Sequence, residues 1–157
     1  MSKLIMMVGI PGSGKSTWVK NNKSETDVVV SRDAIRFSLL KHDDDYFAHE
    51  NEVFTKFIHQ IRDALVCDKT VIADATHLSR ASRAKVLNNV AKLADEIEAV
   101  WINTPIETAF AQNDMRDGRA WVKHGIIRRM HFSMEAPTAE EGFTKITIIG
   151  KEKEENN

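Results

Sequence analysis

A chain of 157 residues, 42% hydrophobic and 29% charged, fits a single globular domain and excludes disorder of the whole chain. With 22 basic and 23 acidic residues the net charge is −1, which excludes a globally basic protein that coats nucleic acid by charge alone. One cysteine, Cys67, excludes an internal disulfide framework, and no apolar run reaches signal-peptide or membrane-spanning length. A cytoplasmic protein is therefore expected, with no membrane association and no protein partner legible, and with Cys67 as a small buried hydrophobe.

In chain order, Leu4 to Val8 is an unbroken apolar run that ends in a glycine-rich turn, as in a central parallel strand buried on both faces. A short helix from Lys15 to about Asn21 follows, then a β-branched run at Val28 to Val30 and a helical stretch from about Asp33 to Leu40. From His49 to Cys67, Val53, Phe57, Ile61, Ala64 and Leu65 recur at helical spacing. Thr70 to Ala73 is the third strand, and Ser79 caps a helix that carries Val86, Leu87, Val90 and Leu93 on one face. Glu98 to Ile102 is the fourth strand. Thr104-Pro105-Ile106-Glu107 reads as a capped helix start, with the helix running to about Arg116. A further helix spans about His124 to Phe132, Lys145 to Ile149 is the last strand, and 151–157 is a polar tail. Strands alternate with helices, so residues 1–150 are expected to form one three-layer α/β domain, a mostly parallel sheet of about five strands covered on both faces.

Gly9-Ile10-Pro11-Gly12-Ser13-Gly14-Lys15-Ser16, followed by Thr17, fits the phosphate-loop pattern G-x-x-x-x-G-K-[ST]. Gly9, Gly12 and Gly14, with Pro11 and Ser13 between them, let the backbone wrap and aim its N–H groups at an anion. The helix after the loop points its positive end to the same place. Lys15 supplies a mobile positive charge for the β- and γ-phosphates, and the Ser16 hydroxyl is a Mg2+ ligand. A strand before the loop and a helix after it make the match specific for nucleoside triphosphate, with ATP and Mg2+ the expected pair.

Ligands of open α/β sheets bind beyond the carboxyl ends of the strands. Ser31-Arg32-Asp33-Ala34-Ile35-Arg36 follows the second strand there, with Arg36 one turn from Asp33. Two readings fit this spacing: a general base beside an arginine that grips a substrate phosphate, or a helix cap in a surface ion pair. Asp74 ends the third strand, where an acid supports Mg2+ through water or simply forms a turn, and Thr76 stands beside it. Arg116, Arg119, Lys123, Arg128 and Arg129 make a basic stretch broken by Gly118 and Gly125, the composition of a mobile lid over about 114–130. The histidines lack metal-ligand spacing, Asp43 to Asp45 read as a solvated turn, and of the three tryptophans Trp121 is placed to stack on a base.

Together these segments resemble the 5′-hydroxyl kinase domain of phage-type polynucleotide kinases, from about Lys3 to Ile149. The phosphate loop with its trailing Trp18, the segment Ser31 to Arg36, Val71-Ile72-Ala73-Asp74-Ala75-Thr76, Ser82-Arg83 and Asn113-Asp114-Met115-Arg116 carry the likeness. His77 stands where members commonly have asparagine. The resemblance implies a P-loop kinase in which Asp33 is the general base, Arg36 contacts substrate and Arg116 is the transition-state arginine; Asp74 and Thr76, at the end of the third strand, are expected to contact substrate or Arg36. Arg119 is expected to assist Arg116 at the nucleotide. The expected activity is transfer of the ATP γ-phosphate to a 5′-hydroxyl end of DNA or RNA. The wider group includes zeta-toxin-like kinases, so a small metabolite or nucleotide sugar is the alternative acceptor; an ATPase or switch without an acceptor is a third reading.

Overall fold

The computed structural model describes residues 1–150, so the tail expected over 151–157 lies outside the described residues. The elements follow in the order β1 (Lys3–Val8), α1 (Lys15–Asn22), β2 (Val28–Ser31), α2 (Arg32–Leu39), α3 (Glu50–Val66) and β3 (Thr70–Asp74). The second half contributes α4 (Arg80–Val90), β4 (Glu96–Ile102), α5 (Ile106–Asp114), α6 (His124–Ser133) and β5 (Lys145–Ile149). All five of these strands are parallel, in the spatial order β2-β3-β1-β4-β5. This is the expected α/β sheet, with every pairing parallel.

The two-residue period of β1 divides its side chains between two cores. Leu4 and Met6 join Val53, Phe57, Ile61, Leu65, Val86 and Val90 under α3 and α4, whereas Met7 joins Val19 of α1, Ile72, Val100 and Ile102 on the opposite face. A strand buried on both sides needs the continuous apolar run seen at its positions. Truncating a fully buried anchor such as Phe57 to alanine costs about 3–5 kcal/mol in cores of this kind. A third cluster, of Ile10, Ala109 and Ile127, fastens the phosphate loop to α5 and α6.

Two local expectations are corrected. Cys67 is exposed, because the buried stripe of α3 ends at Leu65 and Cys67 lies in the turn beyond it. Thr104 does not cap α5, whose N-cap is Pro105 without a side-chain bond. Its hydroxyl instead donates to the Ser13 carbonyl at 2.7 Å, which ties the end of β4 to the phosphate loop. Ser79 does cap α4, in a reciprocal arrangement with Ser82. β4 starts two residues earlier than its apolar pattern, at Glu96, where Lys3 of the neighbouring strand bridges Glu96 and Glu98.

Candidate active site

The strand register brings the informative residues together. Ser31 at the end of β2 lies level with Asp74 at the end of β3, and the amide of Gly9, just past β1, donates to the Thr76 carbonyl at 3.0 Å. The loop that follows β1 packs tightly. Gly12 has φ +80°, and a Cβ there would stand 2.3 Å from the Ala109 carbonyl oxygen, so only glycine allows α5 to approach. Gly14, with φ +102°, precedes α1 as a cap that offers no side chain, leaving the first helical N–H groups for an anion. Ser16 and Thr17 are exposed at this end.

Lys15 folds back on its own loop, its Nζ donating to the carbonyls of Gly9 at 2.9 Å and Ile10 at 3.1 Å. Burial of the ammonium pulls its pKa down to about 8, with Asp74 and Asp33 opposing the shift and Arg116 adding to it. Triphosphate affinity is therefore expected to fall as the pH rises through this value, by about tenfold between pH 7 and 9 where the charged lysine is required. Equilibrium titration across that range checks it, and Lys15→Arg, which stays charged, is expected to flatten the profile. An equally steep fall in that variant would assign the dependence elsewhere.

Asp33 is the exposed member of a paired cluster. Its side chain retains 54% exposure, whereas that of Arg36 retains 8%. The N-cap of α2 is Ser31, which accepts from the Ala34 amide at 3.1 Å, so Asp33 has no capping role. Arg36 Nη1 bonds Asp33 Oδ1, and Tyr46 Oη donates to the same oxygen at 2.8 Å. Tyr46 Oη in turn accepts from Arg36 Nη1 at 2.9 Å. Burial, then the charge of Asp33, drives the Tyr46 pKa upward, so Tyr46 stays a donor at neutral pH. The other edge of Arg36 closes on Glu50, at 2.6 Å from Nε to Oε1 and 3.2 Å from Nη2 to Oε2, and Arg32 reaches Glu50 Oε2 at 3.2 Å. Arg36 thus grips two carboxylates of its own chain and fixes one carboxylate oxygen of Asp33.

Asp74 is half-buried, and desolvation raises its carboxyl pKa while Lys15 and Arg116 pull it down. The same electrostatics link Lys15, Asp33, Asp74 and Arg116 across one cleft of about 1340 Å³, which Thr76 also lines. This exceeds the ~300–1,000 Å³ of an ordinary single-ligand site, leaving room for a nucleotide and an acceptor together. Ser16 and Asp74 offer the oxygen donors that Mg2+ takes, and that ion keeps several waters, so two protein contacts fit it.

The segment expected as a lid forms one wall. Arg116 faces the cleft and donates to the Ala120 carbonyl at 3.3 Å. Arg119 donates to the carbonyls of Lys41 at 3.0 Å and His42 at 2.7 Å, and so bridges the segment to the α2–α3 loop. Trp121 lines the cleft with its indole N–H on Asp114 at 3.2 Å, and Lys123 lines it too. Arg128 and Arg129 are exposed outside the cleft lining.

The family model described as an AAA domain matches residues 4–137. The chain belongs to that family. Its fold is that of the P-loop kinases. The structure of the Pnkp1/Rnl/Hen1 RNA repair complex is similar at 23% identity with a TM-score of 0.74, over 84% of this chain. The chain spans only 43% of that protein's length. Kti12 from Chaetomium thermophilum, in complex with ADP-AlF3, is 13% identical over 97% of this chain and 91% of its own, with a TM-score of 0.67. A gluconokinase from Sinorhizobium meliloti is 14% identical over 93% and 81%, with a TM-score of 0.60. The P-loop fold implies nucleotide binding by this AAA domain.

Several residues shape the AAA domain's cleft through contacts that no motif spells out. Asn113 is fully buried and mimics a peptide, its amide donating to the Val122 carbonyl at 2.6 Å while its oxygen accepts the Val122 amide at 3.0 Å. Those two bonds anchor the segment that bears Arg116. Arg83, also fully buried, is paired with Glu141 at 2.7 Å and donates to the His77 carbonyl at 2.8 Å, which holds the loop after Asp74. His77 packs on Phe57 with Nδ1 on the Met7 carbonyl at 2.7 Å, and burial lowers its pKa to about 4. It is therefore a neutral donor that pins the loop to β1. Tyr46 and Glu50 lie 13 and 17 residues beyond Asp33 in sequence, and no short motif joins them to it.

Proposed function

We propose that this AAA domain is an ATP-dependent kinase that transfers the γ-phosphate to a 5′-hydroxyl end of DNA or RNA. The observation that carries the reading is the held but exposed carboxylate of Asp33 on the same cleft as Lys15 and Arg116. With Oδ1 engaged by Arg36 and Tyr46, Oδ2 is left to accept the proton of an acceptor hydroxyl. Lys15, released from the Gly9 and Ile10 carbonyls, moves onto the β- and γ-phosphates, and Arg116 balances charge that develops on the transferring group. Ser16, and Asp74 through water, would hold Mg2+, which would neutralise charge on the phosphates. The proton goes to Asp33, the acceptor oxygen bonds phosphorus, and ADP leaves. The likeness to the Pnkp1/Rnl/Hen1 RNA repair complex supports the nucleic-acid acceptor over others.

A small hydroxylated acceptor is the second reading, favoured by the exposed Asp45 on the cleft wall and by the gluconokinase likeness. One experiment separates the two. Purified protein, Mg2+ and γ-labelled ATP are incubated with a 5′-hydroxyl oligonucleotide and with its 5′-phosphorylated twin. Label on the free-hydroxyl strand alone, lost in Lys15→Ala, is the expected result. ATP binding without label on either strand overturns the nucleic-acid acceptor and favours a small molecule.

A further inference from the structure

Phe47 is 59% exposed although it lines the cleft, and it abuts the cluster that holds Asp33. Its ring meets Tyr46 edge-on at 4.7 Å between centroids, and the Arg36 guanidinium lies 6.0 Å from its centre. Tyr46 is itself covered by Arg36 at 4.5 Å and flanked by Phe37 at 6.1 Å, so Phe47 ends an aromatic row and leaves ring surface uncovered. The row begins at the hydroxyl bonded to Asp33, where an acceptor oxygen must come. A ribose separates the 5′-oxygen of a nucleotide from its base, so a base can reach the uncovered ring while its hydroxyl meets Asp33.

The arginines on this side are engaged within the chain. Arg32 and Arg36 are closed on Glu50, Arg119 on two carbonyls, and Asp43 and Asp45 are exposed in the same loop. A strand end docking here gains affinity from stacking rather than from ion pairs. Resting on the proposed 5′-kinase reading, we infer that Phe47 is a stacking platform for the base of the terminal acceptor nucleotide, a subsite that selects single-stranded nucleic-acid ends over sugars.

Stacking of one base on an aromatic side chain changes affinity by about 5- to 150-fold, the range that 1–3 kcal/mol corresponds to. Phe47→Ala is expected to raise the oligonucleotide KM within that range while leaving the ATP KM alone, and Phe47→Trp is expected to restore it. An oligonucleotide whose 5′-terminal residue is abasic should show the same raised KM with the natural protein, and no further rise with Phe47→Ala. The KM should also depend weakly on salt, since few phosphates are neutralised. Phosphorylation of normal and abasic ends with equal KM, or additive losses from base removal and Phe47→Ala, overturns the platform and leaves the kinase reading standing. Phosphorylation of neither overturns the kinase reading itself.

Discussion

Asp33→Asn is expected to lower the phosphoryl-transfer rate by about 10²- to 10⁴-fold, the contribution of a positioned general base. The substitution is close to isosteric. The asparagine oxygen still accepts from Arg36 and Tyr46, whose bonds fall on a single oxygen of the natural carboxylate. The hydroxyl acceptor therefore meets the same shape without a group able to take its proton. Nucleotide affinity should change little, because Lys15, the glycine turns and the head of α1 keep their geometry and Asp33 is the smallest of the influences on the Lys15 charge. Single-turnover rates beside equilibrium ATP titration measure the two quantities separately. Equal loss of binding and transfer would remove Asp33 from the base role and make it part of the nucleotide site.

Arg116→Ala carries the second large effect, a fall of about 10³- to 10⁵-fold in transfer, by analogy with arginines that stabilise transferring phosphoryl groups. Its position supports the figure: it shares an electrostatic neighbourhood with Lys15 and Asp74, and its one side-chain hydrogen bond among the described residues, to Ala120, is long enough to release. The wall itself rests on Asn113 and Arg119 and should survive the change. Arg116→Lys is expected to recover only part of the rate, since an ammonium is a point charge without the planar fork. Thermal unfolding reports on the wall, and the single-turnover rate on the chemistry. A loss under tenfold with an unchanged melting temperature would place the transition-state arginine elsewhere on the segment.

Other parts of this domain were legible in the chain because their information is local. A phosphate loop is eight consecutive residues whose backbone must turn and whose N–H groups must converge, so a glycine pattern between an apolar run and a helix start is sufficient to announce it. The unbroken apolar run of Leu4 to Val8 and the period-3.6 pattern of Val53 to Leu65 likewise reflect burial, on both faces of a strand and on one face of a helix, and each became the element expected. The ends of β2 and β3 were legible as chemistry because strand termini in a parallel sheet share one edge.

Tertiary structure alone decided the rest. The sheet order β2-β3-β1-β4-β5 depends on which faces α1, α3 and α4 cover, a matter of packing between segments far apart in the chain. Thr104 is a capping residue by its neighbours, yet its hydroxyl lies beside Ser13 once β4 is laid against β1, and it bonds there. Arg36 has the spacing of a substrate clamp, but Glu50 arrives on α3 with a carboxylate that fits the guanidinium edge, and this internal pair engages it. Arg119, which lines the cleft, also bonds two carbonyls 77 and 78 residues earlier in the chain, a contact that no local pattern foretells. Local pattern determined which groups this protein possesses; long-range contacts determined which of them remain available for a ligand, because each polar group that folding buries must find a partner first.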